Sequence, residues 1–414
     1  MCALGTAGDT YPFIGIAQAL RARGHRAVLI GSDLHRAAAE RFGVEFVGVG
    51  DRADHELVYG SPEAWDARRG GLAAGKYFAR QVRGQYAAIA ARIVPGETVL
   101  VAQGLSFAAR IAHDAVGVPL VTAHVCPGYI VSAADPPVLP FLRLPGWLPT
   151  PLARAVLRAG DTLFSDPVFA TEVNGLRREL GLTPAREIYG RWMHSPQLIL
   201  GLYPDWFAPP PRDVPHVCTS AFPLFDASEE AGLPAEVEQF LSAGSPPVLI
   251  TQGSTQRDAG PMFSATVDAC DKLGRRSLLV GPAKPPSSLP ASCLHWPRLS
   301  FKLLMPRVSA LIGHGGIGTH SLALAAGIPQ LLLPRAHDQF DNAERFGRLG
   351  VARVLTPRRL TAERVRRELD WLLNNPSVGP TCRELAKRLP AAPLDIICAR
   401  LEAFAAEVAK DVMR

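Results

Sequence analysis

Short apolar runs alternate with amphipathic helical stretches along almost the whole chain, and this alternation narrows the fold more than any other feature. RAVLI (Arg26 to Ile30), VEFVGVG (Val44 to Gly50), TVLVAQG (Thr98 to Gly104) and PLVTAHV (Pro119 to Val125) have strand length and strand composition. Helical stretches separate them, such as FIGIAQALRARG, with Pro12 near its start and Gly24 at its end. Such a series specifies an α/β fold with a parallel sheet, because parallel neighbours need a long crossover. A second series opens at PPVLITQGS (Pro246 to Ser254) and continues through RRSLLVG, SALIG, PQLLLP and VARVL. Between them lies WFAPPPRDVPHVCTSAFPLFD, whose prolines suit neither a helix nor a central strand. The sequence therefore divides near Cys218 into domains 1–218 and 219–414, with the final helix expected to pack back on the first.

At 414 residues, 48% of them hydrophobic, the chain is long enough to bury two cores. Its net charge of +6 is carried by scattered arginines with only short clusters such as Arg358-Arg359 and Arg366-Arg367. That pattern predicts no nucleic-acid-binding stripe and suits anionic substrates or an anionic membrane surface. The seven cysteines lie far apart with no C-x-x-C pair, which points to a reducing compartment and no metal centre. No run approaches the about 20 apolar residues of a membrane span, and MCALGTAGDT lacks a charged region followed by an apolar one. The chain reads as cytoplasmic.

The stretch LIGHGGIGTHSLALAAG, from Leu311, places Gly313, Gly315 and Gly318 in G-x-G-x-x-G spacing between a strand-like and a helix-like run. A dinucleotide fingerprint sits in the first βαβ unit of its domain, with an acidic residue closing the second strand. Here the glycines come late in the second series, and Asp338 lies beyond the end of PQLLLP. The oxidoreductase reading is therefore set aside. The physics of the loop remains: glycines admit an anion close to the backbone, and the opening amides of a helix point at it.

The longer segment GHGGIGTHSLALAAGIPQLLLPRAHDQFDNAERFGRLG resembles the donor-binding signature of family 1 nucleotide-sugar glycosyltransferases. GTAGDTYPF, RWMHSPQ, WFAPPP and ITQGST extend the resemblance over most of the chain, and within the family these segments look most like the rhamnosyltransferases of rhamnolipid synthesis. The resemblance implies the GT-B fold, in which two Rossmann-like parallel-sheet domains face each other across a cleft. It also implies roles. His314 would contact the donor diphosphate, with the amides from Gly315 through Gly316 to Gly318 and the Thr319 hydroxyl holding its oxygens. Asp338 and Gln339, with Asn342 nearby, would bind sugar hydroxyls; Ser254 and Thr255 would face the phosphates from the opposite wall; Trp296, with Leu299, would serve the base. Inverting transfer needs a base for the acceptor hydroxyl. Asp9 in GTAGDTYPF matches the position where members carry a catalytic histidine or aspartate, and a helix cap is its alternative role. His124 is a second candidate near the acceptor.

Two departures qualify the match. The strand before GTAGD is only MCAL, so the start lies upstream or the sheet begins with a stub. Leu322 stands where plant members carry a glutamate on the ribose hydroxyls, which favours a dTDP-sugar over a UDP-sugar. No D-x-D occurs, so the sequence predicts neither a metal nor any cofactor besides the donor. The apolar, proline-broken stretch from Cys126 to Pro151 reads as a long loop, and from Ser132 on Val138, Leu139, Phe141, Leu142, Leu144 and Trp147 are expected to line an acyl groove. Together these features predict an inverting enzyme that moves L-rhamnose from dTDP-rhamnose to a 3-hydroxyacyl lipid, with peripheral attachment to the inner face of the membrane as an option. The alternatives are hexosyl transfer to a sterol, polyketide or macrolide, or an inactive partner subunit of the same fold.

Overall fold

The computed structural model describes residues 1–227, 232–253 and 260–412. The chain forms two compact units, Met1–Pro223 with the segment from Ala392 on, and Leu224–Ala391.

In the first unit the strands are β1 (Cys2–Ala3), β2 (Val28–Ser32), β3 (Glu45–Val49), β4 (Leu100–Gln103), β5 (Leu120–His124), β6 (Leu198–Gly201) and β7 (Val217–Thr219). They lie parallel in the order β3-β2-β1-β4-β5-β6-β7. The second unit holds β8 (Val248–Thr251), β9 (Ser277–Val280), β10 (Cys293–Trp296), β11 (Ala310–Gly313), β12 (Gln330–Leu332) and β13 (Ala352–Val354), also parallel, in the order β10-β9-β8-β11-β12-β13. The central strands β4, β5, β8, β9 and β11 are buried along their full length, as strands covered on both faces must be. That is why their sequences are predominantly apolar. β7, β10 and most of β13 are half-buried or exposed edge strands. β7 runs across Cys218, so the first sheet continues past the position where the prolines mark a division.

Both strand orders step outward from the first strand of the unit, then cross to its other side with the fourth. In the first unit this reversal lies between β1 and β4, and in the second between β8 and β11. Loops diverge from the carboxyl ends of the strands at such a point and leave a crevice where ligands of open α/β sheets bind.

β1 has only two residues, yet it is the central strand: Cys2 pairs with Ile30 on one side and Ala102 on the other. The helix Ala7–Ala22 follows almost at once, starting earlier than the sequence suggests, so Pro12 lies inside it. The last helix, Pro393–Val412, packs on this first helix, where Ile397, Cys398, Leu401 and Phe404 are buried. Glu402 accepts hydrogen bonds from Arg23 at 2.8 and 2.6 Å at the exposed rim of that contact. No helix among the described residues is long and apolar enough to cross a membrane.

Packing, not the rim ion pair, should hold the final helix. Phe404→Ala is expected to cost about 3–5 kcal/mol in denaturant unfolding of the first unit, and Glu402→Ala much less, because exposed pairs gain little. Equal losses for the two variants would contradict this.

Candidate active site

The first unit builds its site around the turn after β1. Gly5 has φ +108, a conformation L side chains rarely adopt, and a Cβ there would stand 2.6 Å from Asp9 Oδ2. The turn brings Thr6 to the cap of the first helix and Asp9 to its third position, where the carboxylate reaches back. Thr6 N and Thr6 Oγ1 each donate to Asp9 Oδ2 at 2.9 Å. Gln103, the last residue of β4, donates from Nε2 to Asp9 Oδ1 at 2.8 Å, while its Oε1 accepts from Leu4 N at 3.1 Å. Asp9 thus takes part in a capping box, and it is also held across the β1/β4 reversal by a buried glutamine. It remains partly exposed.

His124 ends β5 but is fully buried and does not present its ring to an acceptor. Its Nε2 lies 3.1 Å from His194 Nδ1, and a Cβ on Gly104 would meet its ring at 2.4 Å. Burial lowers the pKa of both rings, that of His194 to about 4. The end of a doubly buried strand gives no sign in the sequence of which side chain reaches solvent. Residues 130–149 carry no helix or strand. Within them Phe141 is 63% exposed and Trp147 79%, so neither forms a closed groove wall.

The second unit repeats the arrangement. His314 follows β11, next to the end of β8, and is packed between glycines: a Cβ at Gly253 would come within 2.7 Å of its Cε1, and one at Gly316 within 2.5 Å of its Nε2. Burial lowers its pKa to about 4, so the ring is neutral, and its Nδ1 has no partner among the described residues. Such a ring offers an anion a hydrogen bond, not a charge.

Gly315 has a different role from the one its motif suggests. Its N–H donates to His320 Nε2 at 3.1 Å, and its carbonyl accepts from Asn342 Nδ2 at 3.0 Å. The Gly315 amide is therefore not available to a phosphate. Because His320 Nε2 accepts, its proton sits on Nδ1, 2.6 Å from Gln330 Oε1. Its burial and the nearby His314 lower its pKa to about 3. The helix Ile317–Ala325 opens just beyond, leaving the first-turn amides of Ile317, Gly318 and Thr319 for an anion. A Cβ at Gly318 would meet nothing within 4 Å, so this turn is open.

Asp338 stands at the N-terminal end of the helix Gln339–Arg348, and its Oδ2 accepts from Asn342 Nδ2 at 2.6 Å. Gln339 Oε1 accepts from Arg335 N at 2.8 Å and Ala336 N at 3.2 Å, which leaves its Nε2 group for a ligand. Trp296, the end of edge strand β10, is half-buried against the core, Leu299 is buried in it, and Leu322 packs on the same cluster. Ser254 and Thr255 lie outside the described residues. Gln103, His320 and Gln330 carried no sequence signal, since nothing but the fold brings them to the turns.

The comparisons with known proteins agree with the fold of two parallel-sheet units. Residues 1–134 match the glycosyltransferase family 28 N-terminal domain, and residues 284–403 match the erythromycin biosynthesis protein CIII-like, C-terminal domain. The O-mycaminosyltylonolide 6-deoxyallosyltransferase of Streptomyces fradiae is 29% identical over 94% of this chain and 92% of its own. The vancomycin aglycone glucosyltransferase of Amycolatopsis orientalis is 30% identical over 84% of this chain and 83% of its own. The glycosyltransferase VinC, solved in complex with dTDP, has a TM-score of 0.68 at 20% identity, covering 98% of this chain and 99% of that one. The chain belongs to the GT-B nucleotide-sugar glycosyltransferases and is an enzyme of that class.

The buried histidines set a pH limit on stability. His194 and His320 have folded pKa values of about 4 and about 3 against 6.5 when unfolded, so the stability they contribute is complete above pH 6.5 and is lost as pH falls toward those values. Each should add a slope of about 1.4 kcal/mol per pH unit there. Denaturant midpoints should drop between pH 6.5 and 4.5, and a flat profile over that window would contradict the assignment.

Proposed function

We propose that this enzyme moves a 6-deoxyhexose, with L-rhamnose the first candidate, from a dTDP-sugar to a hydroxyl of a hydrophobic acceptor, with inversion and without a metal. The observation that carries the reading is the Asp9 carboxylate, fixed by three donors yet partly exposed at the strand reversal of the first sheet. Asp9 takes the acceptor's O–H proton as the acceptor oxygen bonds to the anomeric carbon. The bond from that carbon to the diphosphate oxygen breaks, and the diphosphate leaves with the electron pair. The amides of Ile317, Gly318 and Thr319, together with His314, meet the developing charge. Asp338, Asn342 and the Nε2 group of Gln339 orient the sugar, and Ser254 and Thr255 are assigned to the phosphates and Trp296 to the base.

Leu322 supports the dTDP assignment, because an apolar side chain packed on the core has nothing to offer a 2′-hydroxyl. For the acceptor, the exposure of Phe141 and Trp147 and the relative named for a tylonolide substrate favour a compact polyketide or macrolide aglycone. A 3-hydroxyacyl lipid is the second reading, on the apolar run from Val138 to Trp147. Attachment to the inner face of the membrane goes with that second reading alone.

Asp9→Asn preserves shape and capping but cannot accept a proton. Transfer should fall about 10²-fold or more, while thermal stabilisation by dTDP stays as in the wild type and wild-type activity persists in EDTA. Near-normal transfer by the variant would remove Asp9 as the base. On an acceptor panel, efficiency that rises with every two carbons of a 3-hydroxyacyl chain would reverse the preference for a compact aglycone.

A further inference from the structure

The Gly5 carbonyl receives more hydrogen bonding than a turn requires. His35, in the turn Asp33–His35 after β2, and His55, on the helix Arg52–Tyr59 after β3, each place Nε2 3.1 Å from Gly5 O. A carbonyl oxygen only accepts, so both rings carry their hydrogen on Nε2. Both are buried, and desolvation lowers the pKa of His55. Aromatic neighbours fix the ring planes: Tyr59 and Tyr77 lie 4.6 and 5.6 Å from His55 by centroid, and Tyr11 lies 5.7 Å from His35. One donor satisfies a buried carbonyl, and a second buried imidazole is costly unless it does something more.

The same peptide unit supplies the Thr6 N–H that donates to Asp9 Oδ2 at 2.9 Å. A peptide is planar, so a clamp on its carbonyl fixes the direction of its N–H, and hydrogen bonds in series strengthen one another. We propose that His35 and His55 are positioning residues for the base: they lock the Gly5–Thr6 peptide plane and with it the amide that aims the Asp9 carboxylate. Asp9 is thereby held from both sides of β1, by Gln103 directly and by two histidines through the backbone. The inference rests on the reading of Asp9 as the base.

His35→Leu and His55→Leu should each lower kcat about tenfold or more while KM for donor and acceptor changes little. The Gln variants, whose Nε2–H can still reach the carbonyl, should recover most of that loss. In an Asp9→Asn background neither Leu substitution should reduce the residual rate further, because the group they position is gone. If the Leu variants do not fold, the Asn variants, polar but too short to reach Gly5, take their place. Unchanged kcat, equal losses with Leu and Gln, or a loss that persists undiminished in the Asp9→Asn background would overturn the clamp. An Asp9→Asn enzyme at wild-type speed would instead refute the base assignment beneath it.

Discussion

A central strand of a parallel sheet has to turn at its carboxyl edge in almost no space, and the rest of this structure depends on how that turn is made. β1 and β11 are flanked by strands on both sides, so the residues after them face neighbouring backbone and side chains at once. Gly5 leaves room for the Asp9 carboxylate, and Gly253 and Gly316 leave room for His314. In each unit a polar side chain stands where the strand order reverses, placed by residues that have none.

The two turns differ in charge, and the difference fits a division of labour. The first presents a carboxylate that accepts from Thr6 twice and from Gln103 once. The second presents the buried His314 imidazole, of lowered pKa, and the open first turn of a helix. A carboxylate suits proton acceptance, whereas neutral donors and a helix dipole suit a departing diphosphate. His320 and Asn342 spend their polar groups on both ends of Gly315, so the amides left open to an anion are those that follow it.

Much of the fold was legible because doubly buried strands are predominantly apolar. β4, β5, β8, β9 and β11 lie within runs that the sequence marks plainly. β7 and β10 were hidden for the opposite reason, since half-buried edge strands need no such run. Asp9 and His314 stood out through their glycine-rich settings, and the family resemblance supplied the roles proposed for them. His124 looked available and is buried, because a strand end does not reveal which way its last side chain points. Gln103, His35, His55 and His320 gave no sign, since each acts on a turn remote in sequence or through a backbone group.

The central claim is a single displacement in which the acceptor oxygen replaces diphosphate while Asp9 takes its proton. The most direct test is the anomeric configuration of the product, read by NMR from the one-bond C1–H1 coupling at its anomeric carbon, against that of the nucleotide-sugar donor. The account predicts inversion at the anomeric carbon. Retention would mean that the sugar passes through a second displacement, and Asp9 acting as a simple base would then be contradicted.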